Sequence, residues 1–292
     1  PACSNTLVEA CCDDDSLLSK PTRWSRSRTV FGITEELDFT STKAIRICRR
    51  RIRGKGDALW LSCPCTGGSR WVQINWYRGE AVREKIREHW DLFHRIWHAF
   101  EEVATHAIKV GARVFIEWPR GCSYWREPCV VRFLAKHKMV FADFDGCMYG
   151  LRASGGSGDG KFVNKPWRVA CTPNSSLPRF LCKRCDRSHE HVPCAGNYTK
   201  STQSYTPKVV EQVHKSLNYD MKLDGIPMDA ACCVVDICVP TSTLDYDPSI
   251  HDGSNQIASA PALSAVSAAS ARPPGKGRRP SRDYIRQTAA AT

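Results

Sequence analysis

One cysteine and one glutamate in this chain have the residue types and the surroundings that covalent chemistry on a ring requires. Cys65 follows Pro64 at the end of a short apolar run, and Glu117 lies within the next such run. A thiolate attacks electron-poor rings, and a carboxyl group that protonates or hydrogen-bonds a ring nitrogen makes the ring a better acceptor. The pair therefore indicates nucleophilic addition to a heteroaromatic ring.

A second group of residues, close together in the sequence, has the composition of a metal site. Three cysteines and two histidines, with a Cys-x2-Cys pair among them, occur in one short segment: Cys182, Cys185, His189, His191 and Cys194. Zinc takes four thiolate or imidazole ligands in a tetrahedron. We predict a Cys3His zinc site formed by Cys182, Cys185, His189 and Cys194, with His191 as the alternate ligand. Surface thiols beside a solvated histidine pair are the other interpretation.

The segments that must position these residues alternate between strand and helix patterns. Short apolar runs predict strands at 58–62, 113–118, 139–144 and 165–170, and helical spacing of apolar residues predicts helices at 43–53, 82–108, 127–138 and from 206. This alternation with short connections favours an α/β fold, a parallel sheet with flanking helices. In such sheets ligands bind at the carboxyl ends of the strands, and Cys65 and Glu117 fall there.

The chain is predicted to form one folded domain over residues 29–220, which includes the Cys/His cluster at 182–194. Residues 1–28 show no sustained periodicity of apolar residues, and we interpret them as a flexible lead-in. Residues 221–292 become rich in Ser, Ala and Pro and are basic toward the end, so they are predicted to be a disordered tail. Cys232, Cys233 and Cys238 receive no role.

A formal net charge of +12 and a pI near 9.1 favour polyanionic partners. The basic residues beside the two groups are candidate nucleic-acid contacts, with solvated surface charge as the alternative: Lys165, Arg168, Lys183, Arg184 and Arg187. No apolar stretch reaches the roughly 18 residues that span a bilayer, so no membrane partner is expected. Sixteen cysteines without an apolar signal segment predict a reduced, intracellular setting, the nucleus included.

The order of four features resembles the catalytic domain of DNA cytosine-5 methyltransferases over about residues 29–175. They are Pro64-Cys65, Glu117 with Trp118 and Pro119, Tyr149-Gly150, and the basic strand at 165–168. Shortened versions of this domain in mobile-element polyproteins are also similar. The resemblance implies a Rossmann-like methyltransferase fold, DNA rather than RNA as partner and S-adenosylmethionine as cofactor. It makes Cys65 the nucleophile, Glu117 the cytosine contact, and Lys165 with Arg168 the support for base and backbone.

The sequence departs from that family in three respects. The glycine-rich Phe-x-Gly-x-Gly pattern for S-adenosylmethionine is absent, the usual Glu-Asn-Val is Glu117-Trp118-Pro119, and the long target-recognition region is missing. We therefore expect an incomplete domain that does not transfer methyl groups as this fragment. A zinc-stapled nucleic-acid-binding module without catalysis, or a scaffold without a ligand, is the alternative.

Structural alternatives also exist for the individual side chains. Cys65 is of a type that is often buried as a small apolar residue. Glu117 has two neighbouring arginines in the sequence, Arg113 and Arg120, with which it could pair. The aromatic side chains of Trp118, Tyr124 and Trp125 could stack on bases, but core or loop packing explains them as well.

Overall fold

The computed structural model describes residues 5–26, 28–194, 198, 199 and 202–226 of the chain. Eight strands are present in this part: β1 (Thr6–Ala10), β2 (Thr29–Ile33), β3 (Ala58–Leu61), β4 (Arg113–Pro119), β5 (Val140–Asp145), β6 (Phe162–Val163), β7 (Pro166–Cys171) and β8 (His191–Val192). Six of them form one sheet in the order β2-β1-β3-β4-β7-β5, and β6 pairs with β8 in a second, two-stranded sheet.

The large sheet is parallel except at one strand. β2, β1, β3 and β4 run parallel to one another, and β7 is antiparallel to both of its neighbours, β4 and β5. The chain adds β2 on one side of β1 and then β3 and β4 on the other. The order thus reverses between β1 and β3, and such a switch point opens a crevice at the carboxyl ends of the strands. The predicted α/β class is confirmed, with a mixed rather than wholly parallel sheet.

Helices cover both faces of this sheet. The described α-helices are α1 (Thr42–Arg51), α2 (Trp71–Asn75), α3 (Glu80–Lys109), α4 (Pro128–Lys136), α5 (Leu177–Phe180) and α6 (Pro207–Leu223). The side chains of Ser41 and Thr206 cap α1 and α6 by accepting a hydrogen bond from a backbone N–H in the first turn. The four long helices lie where apolar spacing predicts them, within a few residues at each end.

Two apolar cores result, one on each face. α1, α3 and α4 pack on one face, and α5 and α6 pack on the other. A buried ion network fixes α6 to the sheet, because the Arg113 guanidinium contacts Asp220 at 3.0 Å and Asp224 at 2.8 Å. Every residue of β3 is buried, as expected for a strand covered on both sides.

The prediction of a flexible lead-in over residues 1–28 is wrong for residues 6–10, which form β1. β1 lies between β2 and β3, and all five of its residues are buried. A strand buried on both faces shows no alternation, and Glu9 interrupts its short apolar run, so the sequence pattern gave no strand signal. The folded domain therefore begins well before residue 29.

At the other end, α6 continues to Leu223, past the predicted boundary at residue 220. Residues 227–292, with Cys232, Cys233 and Cys238, lie outside the described residues. Each described helix is too short or too polar to cross a lipid bilayer.

Candidate active site and metal centre

A pocket of about 190 Å³ opens at the carboxyl ends of β1, β3 and β4, beside the switch point of the sheet. The groups that bear on its chemistry are Glu9, Cys65, Glu117, Lys165 and Tyr205. Cys65 and Glu117, which the sequence placed at neighbouring strand ends, thus face one cavity. Their convergence follows from the sheet, because β3 and β4 are adjacent and parallel with Leu61 opposite Ile116.

The backbone after β3 holds Cys65 at the pocket wall. Cys65 precedes a 3-10 turn, Thr66–Gly68, which packs tightly under the loop after β4. A Cβ atom at Gly68 would come within 2.5 Å of the Cys122 sulfur, and one at Gly67 within 2.5 Å of the Tyr124 hydroxyl. Only glycine permits this close approach, so the two glycines fix the position of the thiol.

The pocket sets the charge state of the Cys65 thiol. Burial raises its pKa, the nearby Glu117 carboxyl raises it further, and the Lys165 ammonium opposes both. A thiol in such a site rests in its neutral form and needs a cation beside the thiolate when it reacts. Lys165 is placed for this, because it lines the same pocket and its Nζ donates to the Thr202 carbonyl at 2.7 Å.

Glu117 presents one bonded and one unbonded oxygen. The Tyr205 hydroxyl lies 2.9 Å from Oε2, whereas Oε1 is buried without a hydrogen-bond partner. Burial raises the pKa of this carboxyl, although Lys165 and the Tyr205 hydrogen bond act in the opposite direction. A buried polar atom without a partner is costly unless a ligand satisfies it. Oε1 therefore marks a polar contact point for a ligand of this pocket.

The predicted alternative for Glu117, an ion pair with Arg113 or Arg120, is wrong for Arg113. That guanidinium is occupied at the opposite end of β4 by Asp220 and Asp224. Glu117 forms no salt bridge with Arg120 in the described residues, and its partner is Tyr205. The three aromatic candidates for base stacking are core residues, as the alternative held: Trp118, Tyr124 and Trp125 are buried.

Glu9 is a pocket residue that the sequence analysis missed. Its carboxylate accepts hydrogen bonds from Ser16 at 2.7 Å and from Ser62 at 2.8 Å. Burial is the main cause that raises the pKa of Glu9 to about 7, and these serines lower it in part. The available signal was an acidic residue inside a short apolar run, which is rare in a buried strand without a specific use.

The other predicted nucleic-acid contacts lie away from the pocket. Arg168 forms a bidentate salt bridge with the Asp143 carboxylate, with N–O distances of 2.7 and 2.8 Å. Arg184 lies 3.5 Å from both Asp143 and Asp145, and Lys183 and Arg187 are exposed. Of the five basic candidates, only Lys165 lines the cavity.

Four side chains form a cluster that could hold one metal ion: Cys147, Cys185, His189 and His191. Their ligand atoms all lie within 4.8 Å of one another, and the Cys185 sulfur is 3.7 and 3.5 Å from the two His Nε2 atoms. Two ligands on a tetrahedral zinc ion, one sulfur and one nitrogen, are about 3.6 Å apart. The backbone N–H of Arg187 also donates to the Cys185 sulfur, at 3.2 Å.

This cluster corrects the predicted ligand set. Cys185, His189 and His191 belong to it, but Cys182 and Cys194 do not. The Cys182 thiol points back to the Arg179 carbonyl, and the Cys194 thiol contacts the Thr202 hydroxyl. The ligand that the sequence analysis missed is Cys147, in the turn Gly146–Tyr149 after β5. Cys147 is distant in sequence from Cys185, His189 and His191, and the fold brings it beside the loop that contains them.

No protein-family model, no curated protein and no solved structure matches this chain.

Proposed function

We propose that this protein takes a cytosine base of a nucleic acid into the pocket and adds the Cys65 sulfur to it covalently. The observation that carries this proposal is the shared cavity of a thiol, a cation and a carboxyl with an unbonded oxygen: Cys65, Lys165 and Glu117. A pocket of about 190 Å³ is below the roughly 300–1,000 Å³ of sites for larger ligands, so it suits a single ring.

The chemistry balances with groups of this chain alone. The Cys65 thiol loses its proton to solvent, and the thiolate forms a bond to C6 of the ring. The C5–C6 π pair moves to the C4–C5 bond, and the C4–N3 π pair moves to N3. Glu117 supplies a proton to N3, so the adduct carries no net charge on the base. Water protonates C5, and the hydroxide that remains removes the original C5 hydrogen. The N3 proton then returns to Glu117 as the thiolate leaves, which regenerates cytosine. The net result is exchange of the C5 hydrogen with solvent.

The exposed surface of α2, which follows the turn after Cys65 in the chain, supports a nucleic acid as the source of the base. Four large apolar side chains are exposed on α2 and the turn after it: Trp71, Ile74, Trp76 and Tyr77. Exposed arginines flank them at positions 70 and 78. Bases stack on aromatic side chains and phosphates pair with arginine, and enzymes that act on a base first remove it from the duplex stack.

The sheet supports the Rossmann-like methyltransferase expectation only in part. Its four parallel strands reverse order at the pocket, as in doubly wound nucleotide-binding sheets. The loop after β1, however, has Cys11 and Cys12 followed by three aspartates where such sheets use glycines. The Cys12 thiol is packed against Gly32 and the Ile33 carbonyl. These residues do not form a cradle for S-adenosylmethionine, so no methyl transfer is proposed.

Release of tritium from DNA that carries [5-3H]cytosine tests this function without any cofactor. We expect the wild-type protein to release tritium, the Cys65→Ser variant to release none, and Glu117→Gln to lose about 10²-fold or more. Cys129→Ser, which changes a thiol outside the pocket, is the control and should match the wild type. Release by Cys65→Ser at the wild-type rate, or no release by any variant, would contradict the proposal.

We also propose that the Cys/His cluster is a structural zinc site. The sulfur–nitrogen separations of 3.5 and 3.7 Å fit a tetrahedral ion, and all four positions have protein ligands, as in structural sites. Such an ion would tie the loop before β8 to the turn after β5. Elemental analysis of the purified protein should give one zinc per chain. A metal-free protein with the same thermal stability would contradict this.

A further inference from the structure

A chain of hydrogen bonds connects the two acidic residues of the pocket. The Glu9 carboxylate is 2.8 Å from the Ser62 hydroxyl, which is 3.0 Å from the Tyr205 hydroxyl, which is 2.9 Å from Glu117 Oε2. The Trp60 indole N–H donates to the same Tyr205 oxygen at 2.9 Å. The path therefore joins the ends of β1, β3 and β4 through Tyr205, which lies two residues before α6.

The number of protons on this path depends on the carboxyl groups. Three oxygen–oxygen contacts each need one proton, but the hydroxyls of Ser62 and Tyr205 supply only two. With both carboxyls ionised, one contact would hold two lone pairs facing each other. The third proton must come from Glu9 or Glu117. When Glu9 holds it, Glu9 donates to Ser62 instead of accepting from it, Ser62 donates to Tyr205, and the path is complete.

Other features favour Glu9 as the holder of that proton. Glu9 is 1% exposed, and burial disfavours its charged form. Glu117 Oε1 stays outside the path and is available to the ligand.

We propose that Glu9 is a proton reserve for Glu117, and that Ser62 and Tyr205 carry its proton to the pocket. This inference rests on the proposed addition to cytosine. When Glu117 gives its Oε1 proton to the ring, Tyr205 passes a proton to Glu117 Oε2, Ser62 passes one to Tyr205, and Glu9 passes one to Ser62. The same transfers run in reverse when the proton returns from N3 to Glu117. One proton leaves Glu9, one arrives at Glu117, and the negative charge moves to Glu9, where Ser16 also donates to it. Glu9 is thus a positioning residue for protons that does not touch the base.

The charged and titratable groups that face this path come from every surrounding element. They are Cys11 and Asp13 after β1, Cys63 and Cys65 after β3, and Lys165 before β7. Lys165 is the cation among them, and it stabilises negative charge on Glu117. The two ends of the path therefore differ in charge. The Glu117 end lies close to the Lys165 cation, whereas the Glu9 end has hydroxyl donors and no lysine or arginine in the pocket lining.

The test combines a titration with a rate. Carbon-13 NMR of protein labelled at Glu follows the ionisation of Glu117 in the wild type, in Ser62→Ala and in Cys129→Ser. Ser62→Ala cuts the path without touching Glu117, whereas Cys129→Ser changes a thiol outside the pocket lining and leaves the path intact. We expect the Glu117 titration to shift in Ser62→Ala and to change little in Cys129→Ser. The same Glu117 titration in all three proteins would overturn the inference.

The tritium-release rate gives the second readout. We expect Ser62→Ala and Glu9→Gln to slow release about tenfold and to change its pH profile, with the control Cys129→Ser, outside the pocket lining, close to the wild type. Release that is unaffected by both substitutions overturns the relay but leaves the proposed addition intact. Absence of release from the wild type itself overturns the addition, while the NMR titration still decides whether the two carboxyls share a proton.

Discussion

The pocket at the strand ends and the Cys/His cluster were predicted from different kinds of sequence signal, and they differ in outcome. Cys65 and Glu117 are far apart in the sequence, yet they face one cavity as predicted. The five residues of the predicted zinc site are close in sequence, yet two of them, Cys182 and Cys194, lie outside the cluster. Sequence proximity was thus the poorer guide to which residues meet.

The reason lies in what fixes each residue in space. Glu117 lies within β4 and Cys65 lies four residues after β3, so the register of these adjacent parallel strands brings both residues to the same edge of the sheet. A residue in an irregular loop has no such constraint. A cysteine in the 182–194 loop can point toward the metal cluster, as Cys185 does, or away from it, as Cys182 and Cys194 do. The fourth member of the cluster, Cys147, is itself a residue just after a strand, since it follows β5.

The largest expected effect is on metal affinity, and it distinguishes the ligand set seen in the structure from the one predicted from the sequence. We expect Cys185→Ser and Cys147→Ser to weaken zinc binding by more than about 100-fold, because each removes a ligand from a four-coordinate site. Cys182→Ser and Cys194→Ser are the matched controls and should bind zinc as the wild type does. Competition with a chromophoric chelator measures this. Loss of zinc in Cys182→Ser with retention in Cys147→Ser would restore the ligand set predicted from the sequence.

The next effect tests the strand on which the pocket depends. Leu7 is fully buried in β1, so Leu7→Ala should lower the free energy of unfolding by about 2–5 kcal/mol. Leu223→Ala, at a side chain that is 66% exposed, should change it by less than about 0.5 kcal/mol. Urea denaturation compares the two. Equal stabilities would mean that residues 6–10 are the flexible lead-in that the sequence indicated.

Much of the fold could be predicted from the sequence, because strands 58–62, 113–118 and 139–144 and the long helices have clear periodicity. β1 could not, since five residues buried on both faces have no alternation to detect. Glu9 was missed together with this strand. Its role depends on the path through Ser62 and Tyr205, which only the fold brings together. Cys147 was missed because its distance from Cys185 in the chain carries no local pattern.

Glu9 should make the stability of the protein depend on pH. Its pKa rises from 4.5 to about 7 on folding, so the unfolded chain releases the proton first and stability falls as pH rises between those values. Glu9→Gln removes this loss, and its advantage over the wild type should grow by about 3 kcal/mol from pH 4.5 to 7 and then stay constant. Glu80→Gln, at an exposed helix position, is the control. A difference that does not vary with pH would place Glu9 in a solvated environment.

The smallest effect concerns two basic residues outside the pocket lining. Arg168 is held by Asp143 near the surface, so Arg168→Met should cost about 1 kcal/mol or less and leave DNA binding unchanged. Lys183→Met, at an exposed position, should reduce the salt dependence of DNA binding by about one ion. Binding titrations at several salt concentrations measure both. A reduced salt dependence in Arg168→Met alone would assign the phosphate contact to the β7 strand instead.

The pocket chemistry is tested most directly by mass spectrometry of the protein after incubation with a DNA strand that contains a single pyrimidin-2-one. This ring accepts a thiolate but has no 4-amino group, so the adduct accumulates. We expect one strand bound per chain, and peptide mapping should find it on Cys65 among the sixteen cysteines. An unmodified protein, or a strand attached to any other cysteine, would contradict the pairing of Cys65 and Glu117 in a base-binding pocket.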